Sequence, residues 1–402
     1  MAFSMKVVLA IAFVGFGIAA AFDEHGLTHD DAKYSLNVGL QVNLVLRVLF
    51  ATIGTGLCWP PFKALWRHGD IPGVSLIATV SIMNLFTVMN SLIWASDNWD
   101  NWWSGVGFCD VQVYLAMPLK TIYAATIFSV VYELSKKFDV RRAMELNSQQ
   151  CKWRVVKQVL IIYTAPAIQL ISMYFVASHR YNVGALVGCI PRYDNDWLKV
   201  VIFDVPNPIY VTSSIPFAIY AYIRFKRYAN DSQIAIESNN LTAARHVRLR
   251  RRLYNVTASV MLVYTPVSFI LLAQNIQKAV QAPPKPYDFG AIHGPGNAYL
   301  WDLVTFVPSW DLDWLVMNQP WFAILTTVVI VAFFGTSEEC WPVYRGCMLW
   351  LGLGRCIPNL RQQNVPNSPN RPNHDHPDDH PGELPRDGIE LVDMDREVPV
   401  AA

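Results

Sequence analysis

Residues 72–95 read PGVSLIATVSIMNLFTVMNSLIWA, residues 96–108 read SDNWDNWWSGVGF, and residues 109–132 read CDVQVYLAMPLKTIYAATIFSVVY. Each outer run is long and apolar enough for a helix to cross a hydrocarbon core ~30 Å thick, which takes ~20 residues. The middle piece, rich in Trp, Asn, Asp and Gly, reads as a turn at a membrane–water interface. The chain therefore crosses and returns. A membrane strand would alternate apolar and polar residues over ~10 positions, and neither run does so, which leaves helices.

Working outward, five more runs share this character: 37–59, 155–177, 199–223, 253–274 and 318–335. The whole chain, 402 residues with 53% hydrophobic and 16% charged side chains and a mean hydropathy of +0.24, is too apolar for a soluble multi-domain protein. The expected fold class is an all-α membrane protein, a seven-transmembrane helix bundle. Residues 1–22 read as a signal peptide, with Lys6, an apolar stretch from Val7 to Ile18, and Ala19, Ala20 and Ala21 at a cleavage position. An extra retained helix is the alternative. Residues 23–345 would form the seven-helix bundle and 346–402 a short tail, which from about Asn359 is too polar and too rich in Pro, Asn and Asp to fold.

Charge sets the expected orientation. The connections after spans one, three and five carry seventeen Lys and Arg, among them Lys63, Arg67, Lys136, Arg154, Lys226 and Arg252, against five in the other three connections: Arg180, Arg192, Lys199, Lys278 and Lys285. By the positive-inside rule the N-terminus lies outside and the C-terminus is cytosolic. Of seven cysteines, only Cys109 and Cys189 then face the oxidising side. They can pair in a disulfide, with two unpaired buried thiols as the alternative. Cys347 and Cys356, just past the last span, are candidates for palmitoylation.

Short motifs recur in order along the bundle: Met83–Asn84–Leu85, Ile93–Trp94, the Trp-rich turn and Gly107–Phe108–Cys109–Asp110. Pro60–Pro61 and Ile71–Pro72 precede them, and Thr164–Ala165–Pro166, Cys189, Phe333–Phe334–Gly335–Thr336 and Tyr344–Arg345 follow. From about residue 55 to 346 the chain resembles the fungal mating-pheromone receptors of the a-factor type, class D G-protein-coupled receptors. The resemblance implies a plasma-membrane receptor that binds a secreted, farnesylated peptide pheromone and activates a heterotrimeric G protein. It implies no cofactor, metal or nucleic-acid partner, and leaves membrane lipids and a second copy of the chain as further partners.

Polar groups inside apolar spans are expensive and point to function or to helix association. Arg47, Asn84, Asn90, Lys120 and Asp204 are such groups, with Lys120 and Asp204 the expected ion pair and Arg47 a competitor for the acid. The candidate ligand-binding set is Asn84, Asn90, Trp94, Trp102, Lys120, Tyr123 and Asp204. An aromatic belt at the interface is the plain reading of most of the outer tryptophans. Candidate G-protein contacts are Lys226, Arg227, Arg248, Arg250, Arg251 and Arg252, a cluster that also suits anionic lipid.

Other classes are less well supported. Asn207–Pro208–Ile209–Tyr210 resembles a rhodopsin-like motif but falls in span five, and the end of span three reads Tyr132–Glu133–Leu134, without the acid–Arg–Tyr lock. A transporter would explain the buried charges, yet no internal repeat is visible. The histidines are scattered, so no enzyme site emerges, and His374, His376 and His380 sit in the low-complexity tail. An orphan receptor for another apolar peptide is the remaining alternative.

Overall fold

The computed structural model describes residues 38–137, 148–235, 302–335 and 340–350, and most of 258–294. The chain divides into two compact units, Met1–Met348 and Leu349–Ala402; the bundle belongs to the first. The expected signal peptide, residues Arg248 to Arg252, Cys356 and the tail histidines lie outside the described residues.

Helical residues occupy all seven expected spans: α1 Val38–Arg67, α2 Ile71–Ile93, α3 Phe108–Lys137, α4 Ser148–Val176, α5 Pro206–Ala235, α6 at the described positions between 258 and 281, and α7 from Trp314 to Gly335. Five of them, α1 to α4 and α7, are long and apolar enough by length and composition alone to cross a membrane. A final helix, α8, covers Trp341–Trp350. The third helix packs against the second, fourth and fifth, and the seventh against the first and second.

Several boundaries differ from the sequence expectation for local physical reasons. Helix α1 runs on to Arg67, so Pro60 and Pro61 lie within it rather than after it. Packing outweighs the proline cost there: Leu65 and the partly buried Phe62 join the core formed with Leu76, Ile77 and Val80. Span five opens with a single turn at Trp197–Lys199, passes through a π-helical turn at Val200–Asp204, and starts α5 at Pro206, where a missing N–H costs nothing. Helix α7 is broken near its start, with one turn at Trp314–Asn318, Pro320 capping the next segment at Trp321–Ile330, and a π-helical turn at Val331–Gly335.

The all-α expectation needs one correction. Two connections build a three-stranded sheet over one end of the bundle, in the order β2–β1–β3, from β1 Tyr181–Gly184, β2 Gly188–Ile190 and β3 Val304–Val307. The β1–β2 hairpin is antiparallel, and β3 joins β1 in parallel across more than a hundred residues of sequence. Strands of three or four residues are too short to show a period of two.

Two apolar cores result. One, near the cap, groups Trp94, Cys109, Val113, Met173, Val176, Tyr181, Val183 and Phe203. The other, toward the opposite end, groups Cys58, Leu76, Val80, Tyr123, Ile127, Val131, Met261, Val329 and Phe334. Between them the helices carry a small apolar cluster of Ala51, Trp321 and Ile324 and, beside it, a layer of polar groups. Arg47, Asn84, Thr87 and Asn318 are buried there, and Lys120 and Gln319 meet at the same level.

Candidate functional site

The cap is pinned to the bundle at several points. Cys109 at the start of α3 and Cys189 on β2 form a disulfide, both sulfurs buried and the Cα atoms 5.2 Å apart. The hairpin turn presses on the end of α2: Asn90 Nδ2 donates to Val187 O at 2.7 Å, and the Leu186 N–H donates to Trp94 O at 2.9 Å. Leu186 has φ +58°, unusual for a branched side chain, but it is fully buried. A left-handed residue costs ~1–2 kcal/mol and burying a leucine returns ~1.5–3, so burial offsets the strain.

Trp94 stood in the candidate ligand-binding set, with an interfacial belt as the plain alternative for the outer tryptophans, and the structure places it away from any surface. It is fully buried, stacks on Trp103 with centroids 6.2 Å apart, and its Nε1 donates to Trp103 O. Trp102 donates to Ser96 O and meets Phe306 of β3 edge-on at 5.8 Å. The buried Asp97 receives both the Ser309 N–H and its hydroxyl at 2.8 Å, which ties the turn after α2 to the chain leaving β3. Asp110 accepts two bonds from Arg180, at 2.7 and 2.6 Å, and one from Gly107 N. The carboxylate holds the Arg180 guanidinium above its ordinary pKa. This bidentate pair was not foreseen; the Gly-x-Cys-Asp motif and the isolated Arg180 carried its signal.

Inside the bundle the expected ion pair does not form. Asp204 bonds Lys199, five residues earlier, at 2.6 Å, because the π-helical turn brings the two together. Lys120 instead donates to Gln319 Oε1 at 2.9 Å. Arg47 does not reach Asp204; its Nε donates to Asn43 Oδ1 at 2.8 Å and its Nη2 to Met317 O. Asn84 bridges three helices, donating to Thr55 Oγ1 at 3.2 Å and Thr327 Oγ1 at 2.8 Å. The approach of α1 to α7 is close here, since a Cβ on Gly54 would lie 2.6 Å from Thr327 Cγ2. Tyr123 shares a 2.7 Å bond with Thr326 and meets Tyr264 edge-on at 5.0 Å.

At the end opposite the cap, Glu133 of α3 pairs with Arg154 of α4 at 2.7 Å, and Tyr344 of α8 donates to Leu57 O. Burial pushes the Tyr344 hydroxyl up to about 12, so it remains a donor at neutral pH. Cys347 is exposed on α8. Lys226 and Arg227 lie on α5. Among the described residues no group of His, Cys, Asp and Glu is arranged to hold a metal ion.

A bundle of apolar helices, capped at one end by a disulfide-tied sheet and polar in its middle layer, is a multi-pass membrane protein of receptor build. Residues 46–352 match the pheromone A receptor family, and the chain belongs to it. The family implies that the bundle has seven helices, and a plasma-membrane location is consistent with it. The chain is similar to the pheromone a factor receptor of Saccharomyces cerevisiae, 20% identical over 73% of this chain and 60% of that protein. It is also similar to the pheromone B beta 1 receptor of Schizophyllum commune, 24% identical over 74% and 54%, and to pheromone receptor 1 of Ustilago hordei, 22% identical over 70% and 77%. The chain thus spans little more than half the length of the first two.

Proposed function

We propose that this chain is the receptor for a secreted, farnesylated peptide mating pheromone and that it activates a heterotrimeric G protein. The observation that carries the reading is the extent of the family match, which runs from within α1 to the end of α8 and so takes in every span, the cap and the disulfide. Relatives bear the names a factor receptor and M-factor receptor, and the peptide class is carried over from that likeness. The reading places the N-terminus outside and the C-terminus in the cytosol. The positive charges and a disulfide at the cap end both support that orientation.

In this reading residues 1–22 direct insertion, 23–345 form the receptor and 346–402 the cytoplasmic tail. Of the candidate ligand residues, Lys120 lies at the polar level and Tyr123 about one turn further along α3 at the edge of the second core, and these two are the ones assigned to peptide contact. Asn84, Asn90, Trp94, Trp102 and Asp204 support those contacts through the packing already described. Lys226, Arg227, Arg248, Arg250, Arg251 and Arg252 supply the cationic face toward the G protein.

An isoprenoid tail stabilises membrane association by ~0.8 kcal/mol per buried methylene, so the ligand concentrates at the bilayer before it meets the receptor. Binding of a labelled peptide to membranes containing the chain tests the ligand class. The expected result is saturable binding that weakens roughly 100-fold or more when the farnesyl group is removed. Equal binding of both forms would reject it.

A further inference from the structure

Two cations reach the same turn of α7 from different helices, and neither has an anion among the described residues. Arg47 of α1 bonds Met317 O, and Lys120 of α3 bonds Gln319, two residues on. Arg47 has no exposed surface, and its Nη1 has no hydrogen-bond partner. A lysine ammonium has three donors, of which Gln319 takes one. Among the described residues the paired carboxylates are engaged elsewhere: Asp110 with Arg180, Glu133 with Arg154, and Asp204 with Lys199. The turn itself offers only amides and a carbonyl. Two positive charges, Arg47 fully buried and Lys120 half-buried, with no counter-charge among the described residues are unfavourable in a low-dielectric bundle, and a bound anion offsets that penalty.

We propose that the polar layer between α1, α3 and α7 is a site for one negative charge, a carboxylate or a small inorganic anion, held by Arg47 Nη1 and the spare Lys120 donors. The proposal goes beyond the receptor reading and does not depend on it, because its test reads stability and not signalling. Occupancy of the site would stabilise the break at Met317–Pro320, since both cations already grip that segment.

The test uses the full chain in nanodiscs, with thermal unfolding followed by tryptophan fluorescence. Sodium acetate or sodium chloride is titrated against methanesulfonate at constant ionic strength. The expected result is a saturable rise in the midpoint with acetate or chloride. It should vanish in Arg47→Gln and in Lys120→Gln, and persist in Lys285→Gln, which neutralises an exposed loop lysine. A wild-type midpoint that shows no saturable anion dependence would overturn the proposal even if the variants fail to fold. So would a rise that survives in both Arg47→Gln and Lys120→Gln. A second arm separates the sources: a pheromone peptide bearing a carboxylate is compared with its amide. An additional rise with the acid alone assigns the charge to the ligand, and equal effects beside a saturable acetate or chloride response assign it to the small ion.

Discussion

Asn84 shows how a polar residue becomes a structural joint inside an apolar bundle. Its amide donates to Thr327, whose hydroxyl in turn donates to Ala323 O, so the chain of bonds runs in one direction through α2 and α7. Asn84→Leu is expected to lower stability by about 1 kcal/mol, the scale of interhelical hydrogen bonds in membranes, read as a drop in the unfolding midpoint of purified protein. Gly188 is the other residue with little freedom. It has φ +72°, and a Cβ there would run into Asn90. Gly188→Ala should therefore lose more than ~1 kcal/mol and reduce the amount of chain at the cell surface, measured by epitope labelling. The sequence marked Asn84, Asn90, Arg47 and Lys120 as unusual, because a polar group in an apolar run stands out. It could not name their partners, since Lys199 lies five residues from Asp204 and only the π-helical turn brings them together.

The helices were legible because each is a long run whose apolarity has no other use. The cap was not: its strands are three or four residues long, and β3 meets β1 across more than a hundred residues. One cysteine pair gave the only long-range hint of it. Among the contacts that hold this element, the disulfide on β2 and Asp97 at the far side of the sheet act on different strands. Cys189→Ser should cost ~2–4 kcal/mol, the usual range for a lost disulfide, and lower surface expression. Asp97→Ala removes two bonds from the chain after β3 while leaving the disulfide intact. It should raise hydrogen exchange in residues 302–313 well above that in 181–190, which distinguishes local loosening of the cap from loss of the whole element.

The bundle combines a disulfide-tied cap, two apolar cores and a polar layer between them, a build that suits the proposed receptor reading. Family membership followed from ordered short motifs, each too weak alone, that lie on or beside spans one to four and seven and on the cap, and the family match runs through all of them. The chemistry of the ligand and the coupling partner leaves no comparable mark on any single residue. The decisive measurement is a G-protein response in yeast lacking its own pheromone receptors, with this chain at the surface and candidate peptides applied with and without a farnesyl group. The account predicts a dose-dependent response that requires the farnesyl group. Silence toward every farnesylated candidate, with surface expression confirmed, would contradict it.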